Sequence, residues 1–208
     1  NKYSSNSTEM GKTYSHSREM PKVSFRPATT SESISASAYD FENLAKPQIF
    51  DPRWLQLGYI VRTREGVFTN TTLIDESKLK ELLDKAEKIN GIYLINGNVG
   101  FAPYESFERG KQDCDTFAEG GLARALELTP EKKAKNLREI ASPKHYKRGV
   151  NIFGFDEVTT PILRVAGLYS GWSIGGDGLD VGGDWGGGSC GYAFGVLNET
   201  SEAGAQKQ

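Results

Sequence analysis

Three aspartates lie in the stretch Gly175-Gly176-Asp177-Gly178-Leu179-Asp180-Val181-Gly182-Gly183-Asp184. Its first six residues match the opening of a nine-residue calcium repeat, in which stacked turns share carboxylates around the ion. The match breaks at Gly182, where that repeat needs a large apolar residue, and the second Gly-Gly-Asp follows after seven positions instead of nine. Asp177, Asp180 and Asp184 are therefore the candidate calcium ligands; the competing reading is that they keep a glycine-rich loop solvated. Cys114 and Cys190 are the candidate attachment points for a thioether-linked prosthetic group. Asp113 and Asp115 flank Cys114 and raise its thiol pKa, the opposite of what a nucleophile needs.

Gly187-Gly188-Ser189-Cys190-Gly191 matches the G-x-S-x-G nucleophile elbow, whose chemistry requires an acid and then a histidine downstream. No histidine follows Ser189. The overlapping Gly188-Ser189-Cys190-Gly191-Tyr192-Ala193-Phe194 resembles the local signature around the papain-type cysteine. That resemblance covers about seven residues and implies a base histidine far downstream, whereas 18 residues follow Cys190. His145 sits in Pro143-Lys144-His145-Tyr146-Lys147-Arg148 with no ligand-type neighbour; its lysines, arginine and tyrosine suit a phosphate or a single nucleic-acid strand. There is no Walker loop, HExxH, paired CxxC or dinucleotide fingerprint. No catalytic residue and no cofactor is assigned, apart from the calcium and thioether alternatives. Sequons begin at Asn6, Asn70 and Asn198 and matter only in a secreted chain.

The elements that must position these groups are predicted as follows. Residues 75–90 carry Leu79, Leu82, Leu83, Ala86 and Ile89 at helical spacing, with acids at the start and Gly91 as a left-handed stop. Residues 115–128 form a second helix weakened by Gly120-Gly121. Thr129-Pro130 caps a third over 130–141, stopped by Pro143. Asp51-Pro52 suits a helix start, and residues 58–64, 92–95, 99–101 and 162–169 read as strands, with Asn96-Gly97-Asn98 as a hairpin turn. Residues 171–195 hold eleven glycines interleaved with Trp172, Trp185, Tyr192 and Phe194. Linkers lack such aromatics, so this segment reads as packed β structure whose backbone needs close approach. The class is α+β.

The chain is divided into an extended Ser/Thr-rich arm (1–46), a mixed core (47–149), a Gly/aromatic-rich β segment packed on it (150–197) and a polar tail (198–208). Fourteen of the first forty residues are Ser or Thr, and no period is sustained. Such a stretch buries too little apolar surface to order itself. Tyr3, Tyr14, Phe25, Tyr39 and Phe41 are its candidate partner-binding anchors.

The net charge of −2 argues against a nucleic-acid partner. Residues 129–149 carry +5 and residues 150–208 carry −5, so the two surfaces either attract each other or face different neighbours. No run approaches the roughly 20 apolar residues of a membrane span. These features point to a non-enzymatic structural or linker subunit that binds neighbouring protein subunits through its arm. It is expected to be soluble, in a reducing compartment, organelle or virion. The second reading is a carbohydrate- or calcium-binding module built on residues 171–195; the third is a linker carrying a group on a cysteine.

Overall fold

The computed structural model describes residues 24–44, 47, 54–170, 177–185 and 191–198. In chain order its strands and helices are β1 (Ser24–Pro27), α1 (Thr30–Asn43), β2 (Trp54–Arg62), β3 (Gly66–Thr69), α2 (Glu76–Asp84), β4 (Glu87–Ile89), β5 (Ile92–Ile95), β6 (Val99–Pro103), β7 (Gly110–Gln112), α3 (Cys114–Glu119), α4 (Gly121–Glu127), α5 (Lys135–Ile140), β8 (Val150–Phe153), β9 (Ile162–Ser170), β10 (Leu179–Trp185), β11 (Gly191–Ala193) and β12 (Gly195–Asn198). Ten strands make one mixed sheet in the order β4-β5-β6-β3-β2-β9-β10-β8-β7, with β11 beside the first residues of β2. β10 runs parallel to β8 and β11 parallel to β2; the other pairs are antiparallel. β1 and β12 pair separately. The architecture is α+β.

Side-chain alternation assigns the two faces of the sheet. Leu55, Leu57, Ile60, Ala166, Leu168, Leu179 and Val181 enter the main core with Ile34 of α1, Leu122 and Leu126 of α4, and Leu137 and Ile140 of α5. Val61, Phe68 and Phe101 point the other way and pack with Leu79 of α2 in a smaller core. That second face has a described helix over only part of its width. Beside it, β8, β9, β10 and the start of β2 present Phe153, Tyr169, Gly182 and Trp54.

The expected arm is corrected over residues 24–44, which fold into the body. Thr29 and Glu32 form a reciprocal capping box at the start of α1: the Thr29 N–H donates to Glu32 Oε2 at 2.8 Å, and the Glu32 N–H donates to Thr29 Oγ1 at 3.3 Å. Ile34, Ala38 and Phe41 then follow helical spacing and are buried. Thr30, Ser33 and Ser37 share that buried face. Small hydroxyl side chains hide a helical stripe from a reading based on large apolar residues. Their size also lets α1 lie close to β2, where a Cβ on Gly58 would come within 2.6 Å of Thr30 Oγ1.

Three helix boundaries change as well. The 75–90 helix ends at Asp84, and Ile89 belongs to a strand, because Asn90 and Gly91 both take positive φ (48° and 87°) and join β4 to β5 as a hairpin. The 115–128 helix is two helices, broken where Gly120 becomes extended (ψ 145°). The 130–141 helix begins at Lys135: its first amides are taken by the distant Glu127 carboxylate instead of a local Thr129 cap. The 92–95 strand, its hairpin to 99–101 and the 162–169 strand form as expected.

Candidate functional site

Gly182 is the floor of the site. A Cβ there would stand 3.0 Å from Phe153 Cζ and 3.2 Å from Trp54 Cζ3. Trp54 is on β2 and Gly182 on β10, two strands away; Gly167 of β9 is in register with Gly182 and with Gln56, two residues along from Trp54. The indole of Trp54 therefore lies across the sheet. It stacks on Tyr169, with centroids 5.1 Å apart and planes 27° apart, and meets Phe153 edge-on at 5.8 Å. Phe153 is 38% exposed.

Two irregularities flank this floor. β2 shifts register against β9 between Gln56 and Gly58, and β10 shifts between Gly182 and Trp185. Such bulges bend strands and re-aim side chains. Gly183, the next residue, faces the main core, where a Cβ would fall 2.5 Å from the Phe155 ring. Consecutive glycines thus let an aromatic ring approach each face of one strand, the close approach expected of the glycine-aromatic segment.

One register step along, Tyr169, Asp180 and Asn151 are neighbours on the same face across β9, β10 and β8. Asn151 Nδ2 donates to Asp180 Oδ1 at 2.7 Å. Asp180 is 6% exposed. Burial pushes its carboxyl above the usual aspartate range, against the Asn151 hydrogen bond. The site thus joins three aromatic rings, a glycine floor and a buried donor–acceptor pair.

The other expected site residues fall as follows. Asp177 and Asp184 are exposed while Asp180 is buried. Four residues of strand place Asp180 and Asp184 roughly 13 Å apart along the backbone, and among the described residues no three His, Cys, Asp or Glu side chains group to hold a metal ion. Cys114 is 6% exposed at the start of α3, and burial, with Asp115, raises its thiol pKa. Cys190, Tyr3, Tyr14 and Trp172 lie outside the described residues. Phe25 sits in β1, paired in register with Leu197. Tyr39 is 61% exposed on α1. Phe41 is not a surface anchor: it is buried edge-on against His145 at 4.7 Å. Tyr146 is fully buried, so it offers no ring for a base to stack on. Lys133 and Arg138, part of the basic stretch, bridge to Asp115 and Glu119 of α3 instead of to the acidic C-terminal part.

A separate groove of about 610 Å³ runs along α2 and is lined by Arg64, Lys80, Asp84, Tyr93, Tyr104 and Glu157 among others. Its most deeply buried polar group is already engaged: the Tyr104 hydroxyl donates within reach of the carbonyls of Thr63 and Asp156, at 3.0 and 2.9 Å. Trp54, Phe153, Tyr169 and Asn151 were not singled out by spacing or motif. Alternation around Leu55 and Leu168 carries the signal that places Trp54 and Tyr169 together on the face opposite the core.

No family model matches the chain, and no curated protein matches it. Among solved structures, a chain described as "Accommodation of massive sequence variation in Nanoarchaeota by the C-type lectin fold" is 15% identical, with a TM-score of 0.45, over 87% of this chain and 98% of that one. No described helix is long and apolar enough to cross a membrane.

Proposed function

We propose that the protein is a ligand-binding module whose sheet face at Trp54, Phe153 and Tyr169 takes a carbohydrate. The observation that carries this reading is the Trp54 indole laid over Gly182 and wedged between Tyr169 and Phe153. A flat, half-buried ring over a side-chain-free floor suits the C–H face of a pyranose, and it combines apolar area with a fixed geometry. Asn151 and Asp180 are the polar groups next to it, an amide and a carboxylate able to fix the orientation of hydroxyls. This pair is a donor–acceptor set, not a nucleophile with its base, so the reading is binding without turnover. It replaces calcium chelation by Asp177, Asp180 and Asp184 as the basis of recognition.

The test is an immobilised saccharide panel probed with the full chain and with Trp54→Ala. The wild type is expected to retain particular saccharides and Trp54→Ala to lose them by at least about tenfold, since truncating an aromatic anchor at the centre of a binding site costs about 2 kcal/mol or more. Retention of nothing by the wild type, or equal retention by a folded Trp54→Ala, overturns the reading.

A second reading, contact with other protein subunits, is supported by Tyr39 (61% exposed) and Leu44 (43% exposed) near the end of α1. Under it, Tyr39→Ala weakens an association that Trp54→Ala leaves intact, as read by sedimentation of the mixed components.

A further inference from the structure

We infer that the ligand taken at this face is an amino sugar, whose free primary ammonium seats against the Asp180 carboxylate while its ring lies on Trp54; this rests on the saccharide reading above. The argument starts from the cost of Asp180. A carboxylate removed from water is expensive unless it is paired. Asp180 is 6% exposed and, among the described residues, receives a single hydrogen bond, from Asn151. No ion pair joins it to a described cation. Burial raises the Asp180 pKa against the Asn151 hydrogen bond. The protein therefore holds an acceptor that a neutral hydroxyl satisfies only in part and that an ammonium satisfies in full.

The surroundings favour the same charge. Tyr169 is the direct cross-strand neighbour of Asp180, and it stacks on Trp54. Phe153 lies two residues along from Asn151 on the same face. Aromatic faces attract cations through their quadrupole, more strongly where water is excluded. A ligand that presents an apolar ring face to Trp54 and an ammonium to Asp180 uses both features. An N-acetylated ligand brings no charge and must place a bulky amide against the buried carboxylate.

The test compares binding of the full chain, by calorimetry at about pH 6, to β-1,4-linked trimers of glucosamine, N-acetylglucosamine and glucose. The glucosamine trimer is expected to bind about ten- to hundred-fold tighter than either of the others, the range that a hydrogen bond to a charged group is worth. Asp180→Asn, which keeps shape and hydrogen bonding, is expected to level the three affinities. Equal or tighter binding of the N-acetylated or neutral trimer overturns the inference and leaves the saccharide reading standing. Persistence of the preference in Asp180→Asn also overturns it. Should that variant fail to fold, the wild-type comparison decides the matter alone. Binding of none of the three trimers overturns the inference, and the wider saccharide panel then decides the reading beneath it separately.

Discussion

At Gly182 a Cβ would approach the rims of Phe153 and Trp54 to 3.0 and 3.2 Å, whereas at Gly183 it would come within 2.5 Å of the Phe155 ring. The difference matters because Phe155 is fully buried and Phe153 is 38% exposed. Gly183→Ala forces a rigid core ring to move and is expected to cost about 1–3 kcal/mol. Gly182→Ala displaces rings that have room to yield, so it is expected to leave thermal stability nearly unchanged while weakening ligand binding. A pair of melting curves with matched binding isotherms separates the two. Glu32 makes a second residue-scale case. Arg26 donates to both of its carboxylate oxygens, at 2.6 and 2.7 Å, and together with Thr29 holds its pKa at about 2, below the ordinary 4.5. A depressed carboxyl contributes stability that is present above its unfolded pKa and disappears as pH falls from about 4.5 towards 2. Both side chains are about two-fifths exposed, so solvent screening limits the ion pair to about 1 kcal/mol or less. Glu32→Gln is expected to lower the melting temperature at neutral pH and to flatten the acid limb of stability against pH.

Among the elements, α5 depends on a residue outside itself. Glu127 is 6% exposed, and its two oxygens accept from the N–H groups of Asn136 and Leu137 at 3.0 and 3.1 Å. Glu127→Ala leaves two helix-start amides without acceptors in a buried place, at about 1–3 kcal/mol. Glu127→Gln keeps one carbonyl acceptor and is expected to lose less, which urea titration of the two variants reads directly. Burial raises the Glu127 pKa against those amide hydrogen bonds. A raised carboxyl makes stability fall as pH climbs from its unfolded to its folded value, opposite in sign to Glu32. This long-range cap also shows why element boundaries were only partly legible. Strands 92–95 and 162–169 announced themselves through dense β-branched and aliphatic residues, and Leu79, Leu82 and Leu83 through helical spacing. The start of α5 did not, because its cap comes from Glu127, eight residues before Lys135. The end of α2 is hidden in the sequence because Asn90-Gly91 suits both a helix stop and a hairpin turn; only the partner strand decides between them. The aromatic site was legible in kind, as glycines among aromatics, but not in membership. Trp54 is 128 residues from Gly182, and no local pattern reveals that a ring from β2 reaches β10.

Across the whole molecule, α1 decides whether the first part of the chain is an appendage or part of the body. The entropy argument for an arm fails over residues 24–44 because it counts large apolar residues, whereas α1 seals the helical face of the sheet with Ile34, Ala38, Phe41, Thr30, Ser33 and Ser37. It packs on β2 and α5, so its loss would uncover the middle of the main core instead of a margin. Phe41 also touches His145 and Tyr146, beyond α5, and so ties the start of the described chain to the segment leading into β8. An element joined to the core at that many places unfolds with it. Phe41→Ala is therefore expected to lower global stability by about 3–5 kcal/mol in a single transition, the usual cost of truncating a buried phenylalanine. Backbone amides of α1 are then expected to exchange with deuterium as slowly as those of β2 and β9 in the wild type, and to speed up together with them in the variant. An arm ordered only by a partner behaves differently: its amides exchange fast in the isolated chain, and Phe41→Ala leaves the rest of the protein untouched. Fast exchange over 30–43 with protected β2 and β9 would return the subunit-contact reading to first place.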